Sequence, residues 1–136
     1  MLELYEPAEG YQSMVNRLNE LKRGGELTST DLLQLKPIIN NSLVGSSKLL
    51  HCLNPEKFAI WDRRVCRFVR GTANNYQVEK PSNYLAYLED CKQLMRTIEF
   101  PEVHQRIDAA IGYHVSGMRA LEWVMYMNGL DKRPAT

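Results

Sequence analysis

Several features that define other protein classes are scarce or absent in this 136-residue sequence. No apolar run approaches the ~20 residues that a membrane-spanning helix needs, so we expect no membrane protein. The three cysteines, Cys52, Cys66 and Cys91, include no CxxC pair, which argues against a disulfide framework and a cysteine-based zinc site. The acidic start, Met1–Glu6, has no signal-peptide core, so the sequence predicts a cytoplasmic location.

The common cofactor motifs are absent as well. The P-loop, Rossmann glycine, HExxH and GxSxG patterns do not occur, so no cofactor is expected. His104 and His114 fall on separate predicted helices without ligand spacing, which predicts no metal site.

The formal net charge of +1 conceals an uneven distribution of charge along the chain. Residues 1–31 carry six acids and three bases, residues 32–80 carry three acids and eight bases, and residues 81–136 carry seven acids and six bases. A basic middle between acidic ends is typical of a protein that binds a polyanion. A solvated charged surface explains the same pattern without any partner.

The spacing of apolar residues predicts an all-α protein, a compact bundle of about seven short helices. Hydrophobic residues make up 44% of the chain, which is enough to form a core. We expect one helical domain over residues 1–130 and a frayed tail over residues 131–136. The apolar residues that predict the core faces of helices are Tyr11, Met14, Val15, Leu18, Leu21, Tyr84, Leu88, Cys91, Met95, Ile98, Val103 and Ile107.

Capping residues predict where several helices begin and end. Asp62 is a suitable N-cap for a helix over Arg63–Arg70, and Gly71 is suited to end it. Gly112 is expected to break a helix, and Ser116 is expected to cap the last one.

The region before Asp62 predicts shorter elements. Ser29 or Thr30 is expected to cap a helix, and a short helix is expected through Ile38 and Ile39. Gly45-Ser46-Ser47 predicts a turn that leads into the next helix.

The predicted helix over Arg63–Arg70 has a basic face and an apolar face. Arg63, Arg67 and Arg70 recur at i, i+4 and i+7, whereas Val65 and the neighbouring apolar residues fall on another side. Arginine guanidinium groups suit phosphate oxygens, so this face is expected to position a nucleic-acid backbone without reading its bases. A surface helix paired with the acids of residues 1–31 is the alternative.

The stretch over residues 30–70 resembles the helix-hairpin-helix DNA glycosylase superfamily. The resemblance rests on the run Gly45-Ser46-Ser47-Lys48-Leu49-Leu50-His51, on Asn54-Pro55, and on Phe58-Ala59-Ile60-Trp61-Asp62-Arg63-Arg64-Val65. In that family a glycine hairpin precedes a helix that carries a lysine. An apolar segment then ends in an aspartate that caps the next helix, in a pattern like V-D-T-H-V-x-R. Lys48 matches the lysine and Asp62 the aspartate, and Val65 and Arg67 match the valine and arginine that follow.

The resemblance implies a DNA-binding protein that excises a damaged or modified base. It assigns attack on the sugar C1′ atom to Lys48, and stabilisation of positive charge or orientation of water to Asp62. Trp61 is expected to stack on a flipped base or to wedge the duplex. The further nucleic-acid contacts expected from the hairpin and the basic helix are Ser46, Ser47, Arg63, Arg64, Arg67 and Arg70.

Each of these residues also has a purely structural interpretation. Lys48 is explained as a solvated helix residue, Asp62 as a helix cap and Trp61 as a core anchor. His51, one turn after Lys48, is expected either to face the same pocket or to bond to the backbone.

The C-terminal helix over residues 118–127 is rich in methionine and aromatic residues on more than one face. It is therefore either fully buried or in contact with a protein partner or a second copy of the chain. This leaves a non-catalytic protein-interaction module, a regulator or inhibitor, as the alternative to a glycosylase. A small-molecule enzyme that uses His51 and Asp62 is the third hypothesis.

Overall fold

The computed structural model describes residues 8–129, with side chains from residue 12 onward. All regular structure in this range is helical, which confirms the all-α prediction. The eight helices found there are α1 (Ala8–Lys22), α2 (Ser29–Leu35), α3 (Leu43–Leu53), α4 (Arg63–Arg70), α5 (Asn75–Val78), α6 (Pro81–Met95), α7 (Phe100–Ile111) and α8 (Gly117–Asn128). The expected tail over residues 131–136, the start at Met1–Glu6 and the side chain of Tyr11 lie outside the described residues.

The helix ends predicted around α4, α7 and α8 are confirmed. Asp62 accepts a hydrogen bond from the Val65 amide at 2.9 Å and caps α4. Gly71 ends α4 and Gly112 ends α7, with φ of 80° and 104°, a conformation that glycine adopts without a steric penalty. Ser116 caps α8.

Helix α3 begins earlier than the sequence predicts. The Ser42 hydroxyl accepts a hydrogen bond from the Gly45 amide at 2.9 Å, so the helix starts at Leu43. Gly45, Ser46 and Ser47 therefore lie inside the helix, and the predicted turn at these three residues is wrong.

The short helix predicted through Ile38 and Ile39 is also wrong. These residues lie in a run of turns over residues 36–41 that leads from α2 to α3. Asn40 and Asn41 have φ of 53° and 52°, and two successive left-handed residues reverse the chain instead of continuing a helix.

Most of the predicted core is confirmed, with three exceptions. Met14, Leu21, Tyr84, Leu88, Cys91 and Ile107 are buried. Ile98 is 93% exposed because α6 ends at Met95, three residues before the apolar pattern does. Val15 and Val103 are exposed as well, at 47% and 42%.

Helix α2 begins with a capping box one residue upstream of the predicted cap at Ser29 or Thr30. The Thr28 hydroxyl accepts from the Asp31 amide at 3.1 Å, and the Asp31 carboxylate accepts from the Thr28 amide at 2.9 Å. Arg17 of α1 donates to the same carboxylate from Nε at 2.8 Å and from Nη2 at 2.9 Å. A buried carboxylate therefore ties α1 to the start of α2.

Residues 58–62, which we call the connecting segment, run through the core without forming a helix or strand. Side chains satisfy its buried backbone. Tyr84 donates to the Ala59 carbonyl at 2.9 Å, and Tyr87 donates to the Ile60 carbonyl at 3.0 Å. Because buried backbone groups need partners, these bonds fix the path of the chain into Asp62.

Trp61 anchors the connecting segment from within. Its side chain is fully buried, and its indole N–H donates to the Val78 carbonyl at 2.8 Å. The ring packs against Tyr84 and Tyr87, with centroids 6.1 Å and 5.3 Å away. Burial raises the pKa of both tyrosines. The aromatic cluster therefore holds rigidly the residue that precedes Asp62.

Candidate active site

A cleft of about 580 Å³ lies between α3, the connecting segment and α8. Its charged and aromatic lining residues are Lys48, His51, Asp62, Arg119, Glu122, Trp123 and Tyr126. The structure therefore brings Lys48 and Asp62, which are 14 positions apart in the sequence, to one site. The volume lies within the range of ligand-binding pockets.

Helix α3 supplies Lys48 and His51, which are one turn apart and line the same cleft. The His51 Nδ1 atom lies 2.7 Å from the Phe58 carbonyl oxygen. A carbonyl oxygen can only accept, so Nδ1 carries the hydrogen and Nε2 has the free lone pair. Both expectations for His51 are thus met, since it bonds to the backbone and also faces the cleft.

Asp62 reaches the cleft because the connecting segment ends there and α4 begins. One carboxylate oxygen, Oδ1, accepts the Val65 amide, which is its role as helix cap. The residue is only partly buried and lines the cleft, so its carboxylate is also presented to a ligand. The structural and the functional interpretations of Asp62 are compatible.

Glu122 on α8 is a second carboxylate in the cleft, and it was not among the predicted site residues. It is 4% exposed and accepts a hydrogen bond from Arg119 one turn earlier. Burial raises the pKa of its carboxyl group. Arg119 opposes the rise, and the negative charge of Asp62 adds to it.

A second cleft, of about 460 Å³, shares Asp62 and Tyr126 with the first. Arg63 and Arg64 line it. Together the two clefts form a groove that passes over the start of α4, with basic side chains on both sides of Asp62.

The four arginines of α4 have different surroundings. Arg63 donates to the Ala73 carbonyl and to Asn75, at 2.7 Å and 3.0 Å. Arg64 lies over the Tyr126 ring, 4.4 Å from its centroid. The other two are Arg67, which donates to the Gly129 carbonyl at 3.0 Å, and Arg70, which is exposed.

Three residues expected to contact nucleic acid lie in the core instead. Ser46, Ser47 and Trp61 are fully buried. The Ser46 hydroxyl donates to the Ser42 carbonyl at 2.8 Å, and the Ser47 hydroxyl accepts the Trp61 amide at 2.9 Å. We correct their assignment from ligand contacts to core residues. Ser46 bonds at the start of its own helix, and Ser47 joins α3 to Trp61 of the connecting segment.

The start of α3 does not offer the open amides that the resemblance to a hairpin implies. The Leu43 amide donates to the Glu79 carboxylate at 3.0 Å, and Lys36 pairs with the same carboxylate at 3.0 Å. A carboxylate from within the protein thus takes the place that an anion would occupy at this helix N-terminus.

The C-terminal helix has one buried face and is not fully buried, so the first of its two interpretations is wrong. Met118, Ala120, Leu121 and Met125 of α8 lie in the core. Trp123, Val124 and Tyr126 are partly exposed and Met127 is 46% exposed, so contact with a protein partner or a second copy stays a prediction.

Comparisons of the chain with protein-family models, curated proteins and solved structures gave no match. The fold and the cleft therefore carry the functional argument. Within residues 8–129, none of the helices combines the length and the apolarity that crossing a bilayer requires.

Sequence reasoning missed Arg119, Glu122, Trp123 and Tyr126. All four lie on α8, more than 55 positions after Asp62, and their pattern resembles that of a core helix. The signal that was present is the glutamate itself, since a carboxylate within an otherwise apolar run is uncommon unless it is paired or functional.

Proposed function

We propose that the protein binds DNA and excises a damaged or modified base, on a helical scaffold similar to that of the helix-hairpin-helix glycosylases. The observation that carries the proposal is the cleft that holds Lys48, His51 and Asp62 together. An amine, a potential proton acceptor and a carboxylate in one cleft are the groups that cleavage of an N-glycosidic bond through a covalent intermediate requires.

The first step is attack by the Lys48 amine on the sugar C1′ atom. The new N–C1′ bond forms as the bond between C1′ and the base breaks, and the base leaves with that electron pair and takes a proton from solvent. His51 Nε2 accepts the proton that the lysine nitrogen loses. Asp62 stabilises the positive charge that develops on the sugar.

Opening of the sugar ring then gives an imine between Lys48 and C1′. Water hydrolyses this imine, which returns the amine and leaves an abasic sugar. Glu122 keeps Arg119 at the edge of the cleft. Trp123 and Tyr126, both part of the cleft wall, supply faces on which an extruded base stacks.

The DNA backbone is proposed to follow the groove across the start of α4. Arg63 uses two N–H groups in its bonds to Ala73 and Asn75, so donors remain for phosphate oxygens. Arg70 lies further along the same helix and is exposed. The proposed contact surface is therefore α4 and its flanks, without Ser46 and Ser47, which are buried in α3.

The decisive experiment is borohydride trapping on labelled duplexes that carry single damaged or modified bases or an abasic site. Borohydride reduces the imine to a stable amine, so the wild-type protein is expected to form a covalent adduct with DNA. Lys48→Ala should abolish the adduct, and Lys22→Ala, an exposed lysine outside the cleft, should leave it unchanged.

Asp62 requires a variant that keeps the helix cap. Asparagine caps as well as aspartate does, so Asp62→Asn should fold normally and lower adduct formation at least tenfold. Equal trapping by Asp62→Asn and wild type would show that Asp62 acts only as a cap.

A salt series tests the DNA-binding surface separately. Each lost phosphate contact makes the negative slope of log affinity against log salt shallower by about one. Arg63→Gln and Arg70→Gln should therefore each weaken binding and flatten this slope by about one. Arg106→Gln, an exposed arginine on α7, is the control. No binding to any duplex at low salt would overturn the proposal. It would favour the alternative of a non-catalytic module whose basic helix α4 contacts an acidic protein.

A further inference from the structure

Two histidines and an aspartate converge at the end of α7, away from the residues that line the cleft. His104 and Asp108 are one turn apart on α7, and His114 lies in the loop over residues 112–116 that leads to α8. His114 Nδ1 is 2.7 Å from one Asp108 oxygen, and His104 Nε2 is 3.6 Å from the other. One side-chain donor atom from each of the three residues lies within 4.8 Å of the others.

The local backbone explains why these groups meet. Gly112 ends α7 in the left-handed conformation, so the chain turns back over the last turn of the helix. The Val115 amide then donates to Asp108 Oδ1 at 3.0 Å, and the Val115 carbonyl lies 2.7 Å from His104 Nε2. Both bonds hold the loop close to α7 and hold the three side chains in place.

We propose that His104, Asp108 and His114 bind one divalent transition-metal ion of the zinc class. Two imidazoles and one carboxylate are a nitrogen-oxygen donor set that suits Zn²⁺ and its neighbours, whereas Mg²⁺ and Ca²⁺ prefer oxygen alone. The ion takes the place of the hydrogens that His104 and His114 now direct at oxygen atoms. Those hydrogens move to the other ring nitrogens, so each imidazole keeps one proton and ligates through the nitrogen that is freed.

The three proposed ligands differ in their exposure to solvent. The side chains of His104 and Asp108 are 19% and 22% exposed, and that of His114 is 77% exposed. The site therefore opens to solvent on the His114 side, where water completes the coordination shell. Binding joins the loop to α7 through a metal in place of the two histidine hydrogen bonds, beside the bond from the Val115 amide to Asp108. The metal-bound form should be the more stable one.

Calorimetric titration of the full chain with ZnCl₂ tests this site. One ion per chain is expected, and His114→Ala should weaken its binding at least tenfold. Because the His114 side chain is largely exposed, this variant keeps the fold, which circular dichroism verifies. Asp108→Asn is the second variant, and it should also lose binding.

Two controls separate this site from other ligands. Glu102→Gln removes an exposed carboxylate from the same helix and should bind as the wild type does. Cys52→Ser removes the exposed thiol and should also bind normally. With Co²⁺ in place of Zn²⁺, the spectrum should show visible d–d bands without sulfur-to-cobalt charge transfer.

Thermal unfolding gives an independent measurement. Zn²⁺ should raise the Tm of the wild type and leave that of His114→Ala unchanged. Equal affinity and an equal Tm shift in the wild type and His114→Ala would overturn the proposal, as would a lack of binding at millimolar Zn²⁺.

Discussion

Two carboxylates of this protein are almost equally buried and both pair with an arginine, yet their pKa values move in opposite directions. Asp31 is 6% exposed and Glu122 is 4% exposed. Burial by itself raises the pKa of Asp31, but hydrogen bonds from Arg17 and Thr28 outweigh it, and the pKa is lowered. Burial also raises the pKa of Glu122, and Arg119 does not fully compensate.

The two carboxylates differ in how many donors each receives. Asp31 accepts two N–H groups from Arg17 and the amide of Thr28, so its charge is satisfied where it is buried. Among the described residues, Glu122 accepts from Arg119 alone, and it also faces the charge of Asp62. The pairing of Asp31 stabilises the fold. The burial of Glu122 at the cleft is only partly compensated, and carboxyl groups with perturbed pKa values in clefts are typical of functional sites.

The largest effect should come from Asp31→Asn. This change removes a negative charge from a paired arginine and directs an amide N–H at it, so we expect a loss of about 2 kcal/mol in the free energy of unfolding. Urea denaturation at pH 7 measures it. Glu20→Gln removes the exposed partner of the same Arg17 and should cost less than about 0.5 kcal/mol. Equal losses in both variants would contradict the comparison.

Asp62 should give an intermediate effect, because it accepts one backbone amide and is partly exposed. Asp62→Ala should lower the free energy of unfolding by about 1 kcal/mol through loss of the cap, and Asp62→Asn by a few tenths at most. A large loss in the asparagine variant would show that the charge of Asp62, and not its capping bond, stabilises the fold.

Glu122→Gln should have the smallest effect on the free energy of unfolding at pH 7. Unlike the other variants, it should leave this free energy unchanged or raise it. Because the pKa of Glu122 is raised on folding, ionisation costs the folded protein stability, and the neutral glutamine should match or exceed the wild type. Measured by urea denaturation, a loss as large as that of Asp31→Asn would show that the Arg119 pair is a net stabiliser.

The pH dependence of stability sharpens the same comparison. The lowered pKa of Asp31 means that its contribution is present above its ordinary pKa and is lost as pH falls through the folded-state value. The raised pKa of Glu122 gives the opposite slope, so stability is lost as pH rises from its ordinary pKa through the folded-state value. Denaturation curves across pH 3 to 8 should therefore show the advantage of Glu122→Gln over the wild type shrinking as pH falls.

Much of the fold could be predicted because the relevant signals are local. Asp62, Gly71, Gly112 and Ser116 act within one turn of their own positions, and all four helix ends are where the sequence placed them. The start of α3 was misplaced because Ser42, Ser46 and Ser47 are equally good caps in sequence. Only the reversal at Asn40 and Asn41 selects Ser42.

The candidate site was only partly predictable because half of it depends on packing between distant elements. Lys48 and Asp62 were found through resemblance to a family. Glu122 was missed because its burial and its place in the cleft depend on how α8 packs against elements that are distant in the sequence. The proposed metal site was not predicted either. His104 and Asp108 are four positions apart on one helix, but the turn at Gly112 is needed to bring His114 to them.

The placement of the two tryptophans has a practical consequence for every experiment above. Trp61 is sealed in the core, and Trp123 is partly exposed on the wall of the cleft. The chain contains no other tryptophan, so its fluorescence has only two sources. Acrylamide should quench Trp123 and spare Trp61, and a nucleotide seated in the cleft should shield Trp123. In the native protein, Trp123 fluorescence thus reports occupancy of the cleft, whereas Trp61 fluorescence reports unfolding alone.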